Sequence, residues 1–467
     1  MPFQIVTLWS DGLIWLLVVA GIGFGFLIAR SAPLLAAWRR VGKSRVGMAS
    51  ATVLVVFAII GLLDSLHYRL KLDGGEGRPP TYAIEVLSVL DAVATPLRTH
   101  NEKTYSAPFA TRLYAKETVE LPGGGQTREY PRLKYGGAHL GNDEDRLPAD
   151  VAGKAALGLG LAAVLWGVVA ALVTASVARR EKVGRGEAWR RIWRGETPFA
   201  WSALLVTSGL LLALLLPLVA LAGYYHVFGT DKVGQDVLYQ VMKSVRTGLI
   251  IGLVTTLVML PLAVLLGIIA GYFRGWADDV IQYVYTVLNS IPGVLLIAAA
   301  VLMMQVVIDT NPQWFATAAE RADLRLLALC FILGITSWTG LCRLLRGETL
   351  KLRELEYIQA AKAFGVSSWR IIVRHILPNL MHIVIISLVM DFSGLVLAEA
   401  VLSYVGIGVD PTMISFGTMI NNARMELGRE PVVWWSLAAA FVVMFVLVLA
   451  ANLFADVVRD AFDPRAV

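Results

Sequence analysis

The chain has 467 residues, of which 57% are hydrophobic and only 16% are charged, and its formal net charge at pH 7 is +6. Soluble domains are less apolar than this, and a spanning helix needs about 20 predominantly apolar residues. The apolar runs are too long and too uniform for the alternating strands of a membrane barrel. We therefore expect an all-α polytopic membrane protein with about nine transmembrane helices, because only helices satisfy the backbone here.

The candidate spans lie at roughly residues 12–29, 48–66, 152–177, 200–222, 246–271, 284–308, 325–342, 381–402 and 432–455. The first run does not resemble a cleaved signal peptide, because residues 1–11 contain no Lys or Arg. We expect it to be retained as a spanning helix.

Lysine and arginine are concentrated in three of the segments between these runs. The first basic cluster comprises Arg30, Arg39, Arg40, Lys43 and Arg45. The second basic cluster comprises Arg179, Arg180, Lys182, Arg185, Arg190, Arg191 and Arg194. The third comprises Arg343, Arg346, Lys351, Arg353, Lys362, Arg370 and Arg374. Nine crossings place all three in the cytoplasm, with the N-terminus outside and the C-terminus inside. Topology then explains the net charge, and no nucleic-acid partner is expected.

The chain divides at about residue 197. Residues 1–197 form an N-terminal extension with three spans and a long periplasmic or extracellular segment, 67–150. Residues 198–467 carry the other six spans. Within the long segment, Thr81–Thr95 is expected to be helical. The Gly and Pro clusters Gly74–Gly77, Pro79–Pro80 and Gly123–Gly125 favour partial disorder at its ends.

No constellation of residues indicates catalysis or a metal site. The two cysteines, Cys330 and Cys342, are twelve residues apart on one predicted helix, about 18 Å by helical rise, which is too far for a disulfide. We expect reduced, buried thiols. None of the six histidines is paired four residues apart around a Glu, as in zinc hydrolases. We therefore expect no catalytic, cofactor-binding or metal-binding residues on this chain.

Residues Ala37–Ser44 fit a relaxed phosphate-loop pattern that ends in Lys43-Ser44. Such a loop follows a strand, so that backbone N–H groups can cradle the phosphate. Here a spanning helix precedes the pattern. A basic loop of the positive-inside type explains the same residues, and we expect no nucleotide site.

A polar block at residues 353–379 lies between two apolar runs. Tyr357–Phe364 is rich in alanine and is expected to be helical. Gly365 can end this helix in a left-handed conformation, and Val366–Ile376 can form a second helix. Pro378 can begin the next span. Periodicity alone leaves two interpretations open. The block is either an element that a partner protein moves, or an amphipathic helix that lies on the membrane with Ile371, Ile372 and Ile376 in lipid.

This block resembles the Glu-Ala-Ala…Gly…Leu-Pro coupling loop of permease subunits in ABC importers. It departs from that signature at Gln359, which stands in place of Glu. The resemblance implies a coupling loop at about 346–379 that contacts an ATPase. Its residues are Glu356, Tyr357, Gln359, Ala360, Ala361, Gly365, Leu377 and Pro378.

Three further stretches resemble the second, C-type permease of dipeptide, oligopeptide and nickel importers. They are His226–Leu238, Leu397–Val409 and Asn452–Arg465. The first is similar to the outside motif His-Pro-Leu-Gly-Thr-Asp-x-x-Gly-Arg-Asp, with Val227 and Gln235 replacing Pro and Arg. Its matching residues are His226, Gly229, Thr230, Asp231, Gly234 and Asp236. The resemblance covers about 223–467.

The resemblance implies a type I permease core of six helices in the bacterial inner membrane. It also implies a second permease, two ATPase subunits that bind ATP and Mg, a solute-binding protein and a small peptide solute. A nickel chelate, a glycoside or a peptide-like antibiotic remains an alternative solute. A membrane scaffold or receptor that uses 67–150 for recognition is the alternative from another class.

Two acidic residues fall within one predicted span. Asp391 lies mid-helix, and Glu399 lies near the outer end of the helix. Unpaired charges in hydrocarbon are costly and usually face a cavity or a partner. Both residues are therefore candidates for lining the solute path, and a packing contact with another helix is the alternative.

Overall fold

The computed structural model describes residues 3–72, 81–120, 126–141, 143–315 and 317–462. In these ranges nine helices are long and apolar enough to cross a membrane. They are Trp9–Arg30, Arg45–Asp64, Glu144–Glu181, Trp201–Ala222, Val237–Phe273, Gly293–Thr310, Ala318–Arg353, Ser368–Val405 and Trp435–Phe462. The all-α polytopic fold and the number of spans are thus confirmed.

The helices, in chain order, are α1 (Trp9–Arg30), α2 (Ala32–Lys43), α3 (Arg45–Asp64), α4 (Val89–Val93), α5 (Thr95–Thr99), α6 (Leu147–Glu181), α7 (Arg185–Arg194), α8 (Trp201–Ala222), α9 (Val237–Phe273), α10 (Trp276–Ser290), α11 (Gly293–Thr310), α12 (Ala318–Ser337), α13 (Thr339–Arg353), α14 (Glu356–Ala363), α15 (Ser368–Ile371), α16 (Leu377–Val405), α17 (Phe416–Arg424) and α18 (Trp435–Phe462). The strands are β1 (Phe3–Val6), β2 (His67–Leu72), β3 (Thr81–Tyr82), β4 (Leu87–Ser88), β5 (Glu117–Glu120) and β6 (Gln126–Glu129).

The chain folds as two compact units. The first unit comprises Met1–Thr7, Gly25–Thr247 and Ile414–Val457. The second unit comprises Leu8–Phe24, Gly248–Met413 and Val458–Val467.

The first unit contains short antiparallel strands and a group of packed spans. β2 pairs with β1, β3 and β4, and β5 pairs with β6 as a hairpin. Among the spans, α6 lies directly against α8: Gly158 packs on the backbone of Pro217, and Gly209 packs on the ring of Trp166. The Trp166 indole N–H donates to the Leu205 carbonyl at 2.7 Å. Small residues allow spanning helices to approach in this way.

The second unit has a core built from α9, α10, α13 and the helices that follow. On α9, Gly267 packs against Cys342 and Leu345 of α13, and Gly271 packs against Thr349. The buried side chains include Ala263, Ile268, Ile281, Leu341, Ile358, Ile371, Ile376 and Leu380. Cys330 and Cys342 are both buried free thiols. This core holds the predicted coupling block in place.

The predicted span 284–308 is wrong at its start. α10 ends at Ser290, and the spanning helix α11 begins only at Gly293. Ile291 is extended (φ −93°, ψ 132°), as expected for a residue that precedes a proline. The apolar residues at the end of α10 continue the hydropathy of the span, although they belong to a separate amphipathic helix.

The helix predicted over Thr81–Thr95 is also wrong. This stretch contains β3, β4 and the short α4, and α5 begins only at Thr95. Ser88 starts α4 with a capping box: its side chain accepts from the Asp91 N–H, and Asp91 accepts from the Ser88 N–H. The clusters Gly74–Gly77, Pro79–Pro80 and Gly123–Gly125, for which disorder was predicted, lie outside the described residues.

Candidate functional site

The predicted coupling block is a helix, a glycine turn and a second helix. The helix expected over Tyr357–Phe364 is present as α14, which ends at Ala363. Gly365 has φ +75°, the left-handed conformation predicted for it. The second helix begins at Ser368, two residues later than expected, and Ser367 precedes it without a side-chain cap.

The second helix of the block continues into a span without a break. α15 passes through a π-helical turn at Ile372–Ile376 into α16. Pro378 lies in the first turn of α16, as predicted, just after the π-helical turn, where the backbone bonding already departs from the α pattern and can accommodate a residue without an N–H. Leu377 is half-buried and Pro378 is exposed. The block and the span therefore form one helical rod.

The isoleucines of the block face protein. Ile371 and Ile376 are fully buried, and Ile372 is 6% exposed. They pack with Ile358 of α14 and Leu345 of α13 in the core of the second unit. The interpretation that placed these isoleucines in lipid is therefore wrong.

The opposite face of the block exposes aromatic rings. Phe364 is 88% exposed, Trp369 68% and Tyr357 47%. We call these three residues the coupling surface. Ala360 lies on the exposed side of α14, and Ala361 is half-buried against the core. Because these rings lie in a polar block between two apolar spans, they are a candidate surface for binding a partner.

Two hydrogen bonds and one favourably placed carboxylate stabilise α14. The Gln359 side chain donates to the Arg353 carbonyl at 3.0 Å and so satisfies the end of α13. The Asn379 side chain donates to the Tyr357 hydroxyl at 3.3 Å. Glu356 lies in the first turn of α14, where a carboxylate is favoured by the helix dipole.

A bidentate ion pair joins α13 to α10. The Arg346 guanidinium donates to both carboxylate oxygens of Asp278, at 2.5 and 2.7 Å. This hydrogen bonding holds the pKa of Asp278 below its ordinary value. Arg353 donates to the Tyr272 carbonyl at 2.7 Å, which joins α13 to α9 as well. The coupling block is thus held on a rigid base.

The second motif, His226–Asp236, is a turn whose buried histidine lies between two carboxylates. His226 Nδ1 lies 2.8 Å from Asp236, and its Nε2 lies 3.4 Å from Glu102. Glu102 also accepts backbone N–H groups from Lys134 and Tyr135, at 2.8 Å each, and from Gly136 at 3.0 Å. The 67–150 segment therefore supplies one of the two carboxylate partners of His226.

Burial and charge oppose each other in this triad. Burial alone would lower the pKa of His226, but hydrogen bonds and charge from Asp236 and Glu102 outweigh it and raise the pKa to about 9. Burial would raise the pKa of Glu102, but His226 and the three backbone N–H groups lower it to about 2. An imidazolium between two carboxylates is therefore the state expected at neutral pH.

The remaining polar residues of the motif are also paired. Thr230 accepts from the Ser106 N–H at 2.7 Å, and its carbonyl accepts from the Trp435 indole at 2.9 Å. Asp231 closes the turn by accepting from the N–H groups of Val233 and Gln235, both at 2.9 Å. Asp236 accepts from the Leu238 N–H at 2.8 Å and thereby caps the start of α9.

The two glycines of the motif are required by backbone shape and by close approach. Gly229 has φ +71° and Gly234 has φ +76°. A Cβ at Gly229 would meet the Ser106 carbonyl, and one at Gly234 would overlap the Glu102 backbone. Only glycine fits both constraints.

Several residues of this region were not predicted from the sequence. Glu102 and Ser106 precede their partners in the motif by 124 residues, and no local pattern connects them. Lys243 on α9 is a second case, since it binds Asp64 at 2.6 Å and Asp91 at 3.1 Å. Asp64 and Asp91 both come from the extension, and their charge was the only available signal.

The two intramembrane acids both lie on α16, eight residues apart or about 12 Å by helical rise. Glu399 is 1% exposed and accepts from the Ser403 hydroxyl at 2.6 Å. Asp391 is half-buried. Among the described residues, Asp391 has no hydrogen-bond partner, so of the two it is the stronger candidate for facing a polar path.

Neither a nucleotide nor a metal site is built in the described ranges. Ala37–Lys43 lies within the helix α2, and Ser44 caps α3 by accepting from the Gly47 N–H at 3.2 Å. The strand and open loop of a phosphate site are therefore replaced by two helices. No group of three or more His, Cys, Asp or Glu side chains in these ranges is arranged to hold a metal ion.

Comparison with known proteins identifies a transport family for the second half of the chain. Residues 263–467 match the family model described as the binding-protein-dependent transport system inner membrane component. The chain is 32% identical over 241 residues to the dipeptide transport system permease protein DppC of Lactococcus lactis, covering 52% of this chain and 64% of that protein. The chain thus spans slightly less than two thirds of that relative.

Two other relatives are covered more fully. The oligopeptide transport system permease protein OppC of Mycobacterium tuberculosis is 34% identical over 244 residues, which cover 52% of this chain and 77% of that protein. The glutathione transport system permease protein GsiD of Pectobacterium atrosepticum is 31% identical over 323 residues, which cover 64% of this chain and 98% of that protein. The chain therefore belongs to the family of binding-protein-dependent transport system inner membrane components.

Proposed function

We propose that the chain is the second permease subunit of an ATP-driven peptide importer. Its relatives are named for dipeptide, oligopeptide and glutathione transport, which favours a small peptide solute. ATP and Mg bind to two partner ATPases, and a second permease and a solute-binding protein complete the assembly. The described part of this chain carries no arrangement suited to hydrolysis, and its role is to open and close the solute path.

The coupling surface is the observation that carries this proposal. Phe364 and Trp369 project from a block whose other face is buried, and the block continues directly into α16. A force applied to these rings by a partner would therefore move a spanning helix as one body. Binding of ATP to the partners would shift the population between inward-open and outward-open states.

Substitution of the exposed rings tests this function. In the complete complex in proteoliposomes, Phe364→Ala with Trp369→Ala should lower ATPase copurification, and peptide transport and peptide-stimulated ATP hydrolysis should fall together. Removing a buried aromatic anchor from an interface commonly costs about 2 kcal/mol or more, a loss of about 30-fold in affinity.

Trp314→Ala is the matched control, because it removes a 58% exposed indole from the turn after α11. It should leave ATPase association unchanged. The proposal fails if the double variant assembles and transports like the parent.

The solute is tested by stimulation of ATP hydrolysis. With its binding protein present, the parental complex should respond to dipeptides or longer peptides, and not to nickel chelates, glycosides or peptide-like antibiotics. Stimulation by a nickel chelate alone would assign the same machinery to metal uptake. Absence of any ATPase in the purified complex would favour the scaffold alternative.

We also propose the orientation and division of the chain. The N-terminus and residues 67–150 lie outside, and the basic clusters and the coupling loop lie in the cytoplasm. The permease domain is 198–467, and 1–197 is an extension. Single cysteines at Thr104 and at Phe364, in a variant with Cys330 and Cys342 replaced by Ser, should react with an impermeant thiol reagent from opposite sides. Labelling of both from one side would exclude this topology.

The 67–150 segment is proposed to contact the binding protein or the second permease. Two exposed apolar side chains support this proposal: Ile84 is 85% exposed and Val93 is 71% exposed. Ile84→Asp with Val93→Asp should raise the concentration of binding protein needed for half-maximal transport and leave basal ATP hydrolysis unchanged. An unchanged requirement would mean that the segment serves only this chain.

A further inference from the structure

Two basic clusters that are far apart in sequence come together in the first unit. The end of α2 and the start of α8 are joined by a hydrogen bond from the Ala200 N–H to the Gly42 carbonyl, at 2.8 Å. The ring of Phe199 packs on Gly42. The Arg45 guanidinium lies beside Gly195, the residue that ends α7. The first and second basic clusters therefore adjoin each other where α2 and Arg45 meet the loop between α7 and α8.

Helix α7 presents different chemistry on each of its faces. Ala188 and Ile192, four residues apart, are fully buried against the protein. Trp189 and Trp193 occupy the next face, where they are 36% and 43% exposed and their rings contact edge to face, with centroids 5.6 Å apart. At about 100° per residue, Arg190 and Arg194 follow on the adjoining face.

The arginines of α7 divide into paired and available ones. Arg191 is neutralised by Glu181 at 3.2 Å and Glu187 at 2.5 Å. Arg190 and Arg194 are exposed, and their guanidinium groups have no hydrogen-bond or ion-pair partner within the described part of the chain. These two positive groups can therefore bind an external anion.

Helix α2 extends the same surface. Its buried face contains Ala37 and Val41, and Arg39, Arg40 and Lys43 are exposed on its other side. Within the described ranges, the side chains of these three residues also have no acidic partner. We call Arg39, Arg40, Lys43, Arg190 and Arg194 the basic platform.

The position of the platform along the chain indicates its ligand. α2 lies between the spans α1 and α3, and α7 lies between the spans α6 and α8. Both helices therefore join consecutive spans, close to where the chain enters and leaves the membrane. Tryptophan favours this interface, and arginine binds phosphate through paired N–H groups. A small inorganic anion would have no use for two indoles beside the arginines, whereas lipid headgroups can contact both.

We propose that the basic platform binds the phosphate groups of anionic phospholipids, with Trp189 and Trp193 inserted among the headgroups of the same leaflet. Helix α7 has the character of an interfacial amphipathic helix, and α2, from a distant part of the sequence, adds a second helix to the same site. Each available cation near an anionic leaflet adds favourable electrostatic energy, and five such cations on one surface select for anionic lipid.

Lipid binding to the delipidated full-length chain tests this inference. In a non-ionic detergent, native mass spectrometry should detect phosphatidylglycerol and cardiolipin bound about 10-fold or more tightly than phosphatidylcholine. Arg190→Gln with Arg194→Gln should reduce this preference about 10-fold. Arg190→Lys with Arg194→Lys should keep most of it, because the charges remain. Raised salt should weaken the binding.

Matched controls separate this site from general charge. Arg370→Gln with Arg374→Gln removes two exposed positive charges from the coupling loop and should leave lipid preference unchanged. Millimolar inorganic phosphate should not displace the lipid, because it cannot engage the indoles. Thermal unfolding of each variant in detergent should match the parent.

Four results would overturn the inference. They are equal binding of anionic and zwitterionic lipid by the parent, an unchanged preference in the Arg190 and Arg194 glutamine variant, an equal loss in the coupling-loop control, and displacement by inorganic phosphate. If the glutamine variant instead lost its ATPase partner with lipid preference intact, the platform would be a protein-docking surface. These outcomes do not depend on the solute, so the proposed function can fail or stand independently.

Discussion

Gly234 and Gly365 adopt almost the same backbone conformation for different reasons. Their φ angles are +76° and +75°. A Cβ at Gly365 would meet nothing within 4 Å, and a Cβ at Gly234 would overlap the backbone of Glu102. Gly365 only turns the chain. Gly234 also provides the space in which a segment 130 residues earlier in the chain is seated.

The contacts around the two turns also differ. The turn at Gly234 is covered by the 67–150 segment and stabilised by buried ion pairs. The turn at Gly365 is flanked by Phe364 and Trp369, which face outward. The first arrangement is satisfied by contacts within the chain, whereas the second leaves two rings exposed. The same left-handed glycine can therefore signal internal packing or a docking site, and only the neighbouring contacts distinguish them.

The largest effect is expected from Gly234→Ala. Left-handed backbone costs a non-glycine residue about 1–2 kcal/mol, and the overlap with Glu102 adds to this because backbone atoms cannot give way cheaply. We expect at least about 3 kcal/mol of destabilisation in this region. Hydrogen exchange of residues 101–118 in the detergent-solubilised chain should accelerate about 100-fold or more.

Exchange in the coupling block should not change in the same sample, which serves as the internal control. If residues 101–118 of the Gly234→Ala variant exchange like the parent, the segment is not seated as described.

A change in pH should destabilise the turn at Gly234 and leave the turn at Gly365 unaffected. The pKa of His226 is about 9 when folded and 6.5 ordinarily, so its stabilising contribution is complete below pH 6.5 and is lost as pH rises through 9. The pKa of Glu102 is about 2 when folded and 4.5 ordinarily, so its contribution is lost as pH falls from 4.5 through 2. Both contributions are complete between pH 4.5 and 6.5.

The His226 contribution corresponds to about 3 kcal/mol at most, lost between pH 6.5 and 9. Protease resistance of residues 101–118 measures it, and resistance should decline over that range in the parent. His226→Gln should be less resistant at pH 6.5 and should show a flatter profile. A parental profile that is flat from pH 6.5 to 9 would contradict the assignment of a charged histidine.

The smallest stability effect is expected from Gly365→Ala. Without a steric overlap, only the conformational cost of about 1–2 kcal/mol remains. The melting temperature of the isolated chain should therefore change little. In the assembled complex, however, the altered turn changes the direction of the Phe364 side chain. Peptide-stimulated ATP hydrolysis should therefore fall more than the small loss of stability would explain. A complex that couples normally would show that the turn angle is unimportant.

Hydropathy predicted the spans because twenty apolar residues form a strong local signal. It failed at residues 284–290, where the end of an amphipathic helix continued the apolar run and only Pro292 marked the break. The helix predicted over Thr81–Thr95 also failed, because pairing with β2 and a capping box prevail over helix propensity. Pro292 and the capping box are local signals that were underweighted, whereas the pairing with β2 is a contact that no local window contains.

The candidate site could be predicted only where its residues are adjacent in sequence. The Gly365 turn and the helices beside it follow from composition and one glycine. The partners of His226 were only half predictable, because Asp236 lies ten residues away in the same motif and Glu102 lies 124 residues earlier. The exposure of Phe364 and Trp369 was also not predictable, since hydropathy alone would bury them.

The uninterrupted helix from Ser368 to Val405 has a mechanical consequence. Its 38 residues extend about 57 Å by helical rise. As a stiff lever held near one end, it converts a tilt of about 10° into a displacement of roughly 10 Å at the other end. The π-helical turn at Ile372–Ile376 is the place along this lever where compliance concentrates, since its backbone bonding departs from the α pattern. Stiffness at that turn would then set how closely the polar block and the span move together.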